Sequence, residues 1–431
     1  MSRRRLALYR VAWSWHFWSG LLITPVFVLT CLTGAIFVFQ EEIHDWRGTA
    51  PARLEVAPGE TIDADAFDRF EAEVASLKPE YALRFVRVEA DPAEPWVGVL
   101  LPREEDEDRP LLQAIFDPYT KTLDDVRDPK KGFLPTVISL HRGLWAGPVG
   151  RMFVELATSW GIVSTLLGLY LWWPRRRSRF WGVFLPRMRG RLALRDWHVV
   201  PSFYFAPVGL LVLLTGLLFT QGWGTSYLAI NATTGGFPSF LVSPPKSAAP
   251  PDVEHPRIAI EEVFSRAQAF FPFTGTAYTL AIPEGETDGA FSVRSDLRNP
   301  FDPMGVVFVD ALDGSVLLEG REDALPLRAR LTLLFYPIHV GSVFGLPTKI
   351  LAVVTCLVLA ASASTGVWLW WRRRPPGRWG APRTVSRDQH PAWLFWLTVG
   401  MGLFLPTVGL TLLGMLAWDR WQVRRARLDG A

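Results

Sequence analysis

Residues 141–173 read HRGLWAGPVGRMFVELATSWGIVSTLLGLYLWW, and residues 339–371 read HVGSVFGLPTKILAVVTCLVLAASASTGVWLWW. Laid one on the other, His141-x-Gly143-x-x-x-Gly147 meets His339-x-Gly341-x-x-x-Gly345, and Arg151 meets Lys349. Gly168-Leu-Tyr-Leu-Trp-Trp meets Gly366-Val-Trp-Leu-Trp-Trp, and an Arg run follows each. Each copy contains an apolar stretch, Met152–Trp173 and Lys349–Trp371, near the ~20 residues that cross a bilayer. Soluble helices of this length carry a polar stripe. Here Glu155 is the only carboxylate, and Trp pairs at the ends fit interfacial belts.

The repeat extends to the preceding spans. His16 meets His198, Pro25 meets Pro207, Thr33-Gly34 meets Thr215-Gly216, and Phe37 meets Phe219. These mark two more apolar stretches, Phe17–Gln40 and Val199–Gln221, and Ala392–Trp418 is a fifth without a counterpart. The chain reads as a duplication of span, polar segment, span, with both copies in one direction. The expected symmetry is a pseudo-two-fold axis along the membrane normal. The expected fold class is a membrane α-helical bundle of four core spans as a tandem duplication plus a fifth hydrophobic segment, with two periplasmic α+β lobes.

Composition narrows the class. The 431 residues are 49% hydrophobic and 20% charged, which excludes a disordered or collagen-like chain. Two cysteines, Cys31 and Cys356, both in apolar runs, supply no disulfide framework. The net charge of +3 is sorted by segment. Residues 1–10, 174–196 and 372–390 hold 18 Arg against 2 Asp. Residues 41–140 hold 12 basic and 23 acidic side chains, and residues 222–338 hold 8 and 14. The positive-inside rule puts the Arg-rich segments in the cytoplasm and the acidic ones outside.

The expected order follows. Residues 1–40 form the N-terminus and first span, which reads as an uncleaved anchor, and 41–140 form lobe 1. Span two covers 141–173, an Arg-rich cytoplasmic loop 174–198, and span three 199–221. Lobe 2 covers 222–338, span four 339–371, a cytoplasmic loop 372–391, and the fifth segment with its tail 392–431. The tail after Trp418 carries four Arg and two Asp, which five crossings would leave outside, so the fifth stretch is either an exception or re-entrant.

The polar segments repeat too. Ala64–Leu77 predicts a helix, followed by strands Ala82–Glu89, Trp96–Leu101 and Leu112–Phe116. The second copy predicts a helix at Ile258–Phe271 and strands Ala277–Ile282, Ala290–Arg294 and Gly305–Val309. Each copy ends in strand, turn, strand, with Asp117-Pro118 or Asp313-Gly314 as turn chemistry. Gly235–Pro256, rich in Pro and Ser, reads as a linker.

Four of the seven His occupy repeat-related positions. His16 and His198 fall at the cytoplasmic ends of spans one and three. His141 and His339 fall at the external ends of spans two and four, on short segments before Gly-Pro breaks. A two-fold axis sets each pair face to face. Two facing imidazoles in a four-helix bundle are the ligand set of a six-coordinate b-type haem, suited to electron transfer. Two haems are expected. Gly34 and Gly216 lie 18 residues beyond His16 and His198, five turns or about 27 Å along the axis, where small residues give a porphyrin room. Close helix packing explains them as well. Arg151 and Lys349 are candidates for haem propionates or for snorkelling to headgroups, with Arg142 and Arg195 as further candidates. His44, His255 and His390 have no repeat partner. Glu155 is a candidate proton or cation site, and its place near the external end fits a solvated or Arg-paired role at least as well.

No Gly-rich nucleotide loop, Walker motif or Cys cluster is present. The cytoplasmic loops are too short for a flavin or nicotinamide domain. The electron donor is therefore another protein, a diffusible flavin or a membrane quinol.

Taken together, the His-x-Gly-x-x-x-Gly segments, the Gly-x-x-Leu-Trp-Trp span ends with Arg runs, the His…Thr-Gly spans and the Asp turns resemble the PepSY-associated transmembrane protein family, over residues ~10–375 in both halves. The resemblance implies an inner-membrane protein of iron uptake, with haem on His16, His141, His198 and His339. It also implies an oxidoreductase activity, reduction of a ferric siderophore or other ferric chelate. A second reading makes the chain a membrane-anchored regulator or chaperone that binds a periplasmic protein. Paired histidines argue against it, because an anchor needs none.

Overall fold

The computed structural model describes residues 3–63, 65–104, 109–173, 183–238, 245–247, 257–273, 276–283, 289–295, 304–321, 325–378, 380 and 392–414. His255, His390, residues 174–182 and 381–391 of the Arg-rich stretches, and the tail after 414 lie outside them. In chain order the elements are α1 (Arg3–Phe37), α2 (Gln40–Trp46), α3 (Ala66–Leu77), β1 (Tyr81–Val88), β2 (Trp96–Pro102), β3 (Leu112–Asp117), β4 (Thr122–Arg127), α4 (Phe133–Gly143), α5 (Gly147–Trp172), α6 (Ala193–Gly216), α7 (Gly222–Thr233), α8 (Ile260–Gln268), β5 (Tyr278–Ala281), β6 (Ala290–Ser295), β7 (Gly305–Asp310), β8 (Val316–Arg321), α9 (Leu327–Leu333), α10 (Phe335–Val340), α11 (Leu346–Arg373) and α12 (Ala392–Phe404). They fall into two units. Met1–Phe39, Val137–Ala229 and Phe335–Ala431 make the first, and Gln40–Thr136 with Ile230–Leu334 the second.

The first unit is helical. Among the described residues four helices are long and apolar enough to cross a membrane: Leu8–Phe37, Gly147–Trp172, Ala193–Phe219 and Leu346–Arg373. α1 packs on α5 and α11, and α6 packs on the same two, which closes a ring with α1 opposite α6. α1 runs on through Pro25, and α6 through Pro201 and Pro207. His141 and His339 do not sit in the spans. They sit in α4 and α10, short helices that end before α5 and α11 begin.

The fifth stretch is not one long helix. α12 ends at Phe404, Leu405 breaks the pattern ahead of Pro406, and helix resumes over 406–414. Proline disfavours helix in the residue before it and supplies no N–H. A Cβ on Gly409 would lie 2.6 Å from the Cα of Gly402. A straight helix holds two residues seven apart at about 10 Å, so the chain doubles back here. Leu405, Val408 and Leu412 are buried against Trp160, Ile162, Val163 and Leu217. Trp160 Nε1 donates to Thr411 Oγ1 at 3.0 Å, and Trp223 Nε1 donates to the Phe404 carbonyl at 2.8 Å. α12, with 13 residues, reaches about 20 Å, short of a ~30 Å hydrocarbon core. Of the two options for this stretch, the fold-back fits.

The second unit holds one eight-stranded antiparallel sheet in the order β4-β3-β2-β1-β5-β6-β7-β8. Where two lobes were expected, two four-stranded meanders share a sheet. β1 pairs with β5 from Phe85↔Ala281 to Val88↔Tyr278, which leaves neither strand an open edge. Alternation sets the faces: Trp96, Gly98 and Leu100 of β2 point inward. α3 and α8 cover that face. Phe67, Phe70 and Val74 of the one, with Ile260, Val263 and Ala267 of the other, join the strand residues in a single core. Phe70 is fully buried and stacks on Phe116 with ring centres 4.4 Å apart. Phe70→Ala is expected to cost about 3–5 kcal/mol, measured as a lowered thermal midpoint by circular dichroism of the purified protein.

Candidate functional site

The four repeat-related histidines meet in two pairs. The rings of His16 and His198 have centres 6.2 Å apart, tilted by 60°. Those of His141 and His339 are 6.3 Å apart, tilted by 50°. All four are half-buried. His255 and His390 lie outside the described residues. His44 belongs to the sheet unit, where its Nδ1 lies 2.8 Å from Thr49 Oγ1.

Every one of the four rings is tied at the same atom. His16 Nδ1 donates to the Ser164 carbonyl at 2.9 Å, and His198 Nδ1 donates to the Ser362 carbonyl at 2.8 Å. His141 Nδ1 donates to the Thr30 carbonyl at 3.0 Å, and His339 Nδ1 donates to the Val212 carbonyl at 3.0 Å. A carbonyl oxygen only accepts, so Nδ1 carries the hydrogen and Nε2 of the neutral ring keeps its lone pair. Fixing the outer nitrogen in this way is how proteins orient metal-ligating imidazoles. The hydroxyls of Ser164, Ser362 and Thr33 lie 3.1, 3.3 and 3.2 Å from the same nitrogens of His16, His198 and His141.

A glycine completes each contact. A Cβ on Gly168 would come within 3.2 Å of His16 Cε1, and on Gly366 within 3.1 Å of His198 Cε1. On Gly34 it would come within 3.0 Å of His141 Cε1, and on Gly216 within 2.8 Å of His339 Cε1. Each glycine follows its carbonyl residue by four positions: Ser164 and Gly168, Ser362 and Gly366, Thr30 and Gly34, Val212 and Gly216. A helical side chain tilts toward the N-terminus and covers the carbonyl four residues earlier. Glycine there uncovers that carbonyl and admits the ring. Gly34 and Gly216, expected beside a porphyrin, thus stand against imidazole edges, at the level of the His141–His339 pair. Gly168 and Gly366 do the same work at the other pair and were not among the expected site residues. Their signal was their place in the quoted repeat.

The spacing within a pair suits one metal ion. Two metal–nitrogen bonds of about 2.0–2.1 Å, plus about 1.15 Å from nitrogen to ring centre at each end, set ring centres about 6.3–6.5 Å apart. Both observed separations are close to this range. No group of three or more His, Cys, Asp or Glu able to hold a metal occurs among the described residues.

Basic side chains gather at the second pair. Arg142 lies within electrostatic reach of His339, Tyr336 and Arg151. Neither Arg142 nor exposed Arg151 has a carboxylate partner among the described residues. Lys349, half-buried, lies in the first turn of α11. Arg195 instead faces Asp196 at 3.8 Å, a fully buried carboxylate that also accepts from Arg187 at 2.7 Å.

Glu155 takes a different place from a solvated or Arg-paired carboxylate. It is 2% exposed and accepts from the backbone N–H groups of Gly222 at 2.7 Å and Trp223 at 3.2 Å. These are orphan donors at the start of α7, where the helix dipole favours an anion. Glu155→Leu would leave both unsatisfied and should destabilise the protein by about 2–4 kcal/mol. The expected readout is a thermal midpoint several degrees lower with both histidine pairs still competent.

Compared with family models, the chain matches the one described as PepSY-associated TM region over residues 13–373. No curated protein matches it.

Proposed function

The chain belongs to the PepSY-associated transmembrane family, and on that footing we propose that it is a di-haem b electron-transfer protein of the bacterial inner membrane that reduces a periplasmic ferric complex of the ferric-siderophore class. The observation that carries this reading is the doubled pair of imidazoles, each tied at Nδ1 and free at Nε2, with ring centres 6.2 and 6.3 Å apart. Haem held in this way would supply one-electron exchange.

His16 with His198, and His141 with His339, would hold the two haems. The carbonyls of Ser164, Ser362, Thr30 and Val212 orient the rings and raise their basicity. Arg142 and Arg151, two cations without a carboxylate partner among the described residues, suit the propionates of the second site, and Lys349 is the repeat counterpart of Arg151. The recurrence of each contact at matched positions supports a tandem duplication. Orientation follows the Arg-rich segments, which puts the first pair near the cytoplasm and the sheet unit in the periplasm.

Each ferric ion takes one electron, from a quinol, a flavin or a redox protein on the donor side. Fe(II) holds hard oxygen ligands less tightly than Fe(III), so reduction releases the metal. The test uses purified full-length protein, reduced with dithionite, freed of excess reductant and mixed with a ferric hydroxamate. Reoxidation with matching formation of Fe(II), trapped by a ferrous-specific chromogen, is expected. A protein that carries haem but is not reoxidised would overturn the substrate assignment, and one that binds no haem would overturn the function.

A further inference from the structure

Residues 183–192 lead directly into the apolar span Ala193–Phe219 and form no helix. They are nonetheless fixed in place. The Asp196 carboxylate, fully buried, accepts from the Arg187 backbone N–H at 3.2 Å and from Arg187 Nε at 2.7 Å. The Tyr204 hydroxyl donates to the Phe184 carbonyl at 3.0 Å. The Phe184 ring meets Trp172 edge to face, with centres 6.4 Å apart. Gly190, at φ +93°, makes a turn that any side chain would strain.

The side chains this leaves outside are of two kinds. Phe184, Leu185, Met188 and Leu192 are exposed, with Trp197 at the start of α6, and Met188 is 73% exposed. Among them stand Arg189 and Arg191, also exposed and without a carboxylate partner among the described residues. Residues 174–195 contain no acid at all, and Asp196, the first to follow, is taken by Arg187.

Exposed apolar side chains gathered on one segment mark a contact surface. Connectivity indicates the contact. Leu192 immediately precedes a span, so the segment starts where acyl chains give way to headgroups. Apolar side chains at that level reach the acyl boundary, while Arg side chains reach phosphates, as in interfacial amphipathic segments. The absence of any free acid on the segment suits an anionic surface.

We propose that residues 184–197 form a wedge seated in the headgroup layer of the bilayer. Phe184, Leu185, Met188 and Leu192 enter the acyl boundary, and Arg189 and Arg191 bind the phosphates of acidic phospholipids. Because Asp196 staples the segment two residues before His198, the same contact braces the start of α6. The wedge needs no haem, so it stands or falls apart from the function proposed above.

The test places a nitrobenzoxadiazole label on Met188→Cys in the full-length protein, reconstituted into phosphatidylcholine vesicles with increasing phosphatidylglycerol. The native thiols, Cys31 and Cys356, are buried, and the wild type treated in parallel is the blank. The label's emission is expected to move to shorter wavelength, and to be quenched by doxyl-labelled lipid, as phosphatidylglycerol is added at low salt. Each Arg is worth about fivefold in preference for an acidic leaflet. Arg189→Gln should therefore need about five times the phosphatidylglycerol for half-maximal quenching, and Arg189→Gln/Arg191→Gln more again. High salt should weaken the quenching of the wild type in the same direction. Both Arg are exposed, so the thermal midpoint by circular dichroism should stay unchanged and separate lost contact from lost fold. Free glycerol phosphate should leave the quenching as it is. Displacement by glycerol phosphate would mean an anion site in place of a leaflet contact. A label that stays in water in every vesicle would leave this face to a soluble partner. Quenching indifferent to phosphatidylglycerol and to both Arg substitutions would remove the acidic lipid. Any of these three results overturns the proposal.

Discussion

Purified with haem available, the wild-type protein should carry two b-type haems per chain, and His16→Ala and His339→Ala should each carry one. The double variant should carry none, and His44→Ala, whose ring bonds Thr49 instead, should keep both. The two pairs share no ring and no carbonyl, so their losses should add. Removing one imidazole leaves its partner tied at Nδ1 with a single free nitrogen, and one axial bond holds a non-covalent cofactor poorly through purification. The reduced-minus-oxidised α-band, scaled to protein, reads this directly. Full haem content in both single variants would refute the pairing.

The second large effect is steric and falls on residues that touch no metal. Gly216→Leu should remove the same half of the absorbance as His339→Ala, and Gly168→Leu the same half as His16→Ala. At Gly216 even a Cβ would stand 2.8 Å from His339 Cε1, well inside the ~3.5–4.0 Å of a carbon–carbon contact. A leucine would both displace the ring and cover the Val212 carbonyl that orients it. Gly216→Ala should keep part of the band. Haem content measured beside the thermal midpoint separates the two explanations. A variant that loses half its haem at an unchanged midpoint supports the contact, and a Leu variant with full haem would sink it.

Much of this site was legible in the chain because the repeat did the sorting. Alone, His16 or His339 is an ordinary interfacial histidine, and only the matched offsets make pairs of them. The glycines show where reading stops. Gly168 and Gly366 sit in plain view inside the repeat, but their partners are on other helices. Which helix neighbours which is a tertiary fact, set by the ring of α1, α5, α6 and α11. Backbone carbonyls such as those of Thr30 and Val212 are invisible for a further reason: any residue supplies one, and only glycine four positions on uncovers it. In the fifth stretch the charge of the tail raised a re-entrant path, and Pro406 marks where the helix breaks. The joining of β1 to β5 left no sequence mark, since nothing in either strand's pattern names its partner. For Glu155 the rule that membrane carboxylates are functional pointed to protons, whereas two unpaired N–H groups at the start of α7 claimed it.

The β1–β5 seam also bears on how the protein is born. Phe85 pairs with Ala281, which the ribosome delivers roughly 200 residues later, at ~5–20 residues per second a delay of about 10–40 s. Throughout that interval the first meander stands with a naked, hydrogen-bond-hungry border, the kind that captures stray strands. Neither half of the sheet is a finished object by itself. Two separately synthesised halves of this chain should therefore seek each other out and knit along that border. The two meanders are bound as complements, not as independent units.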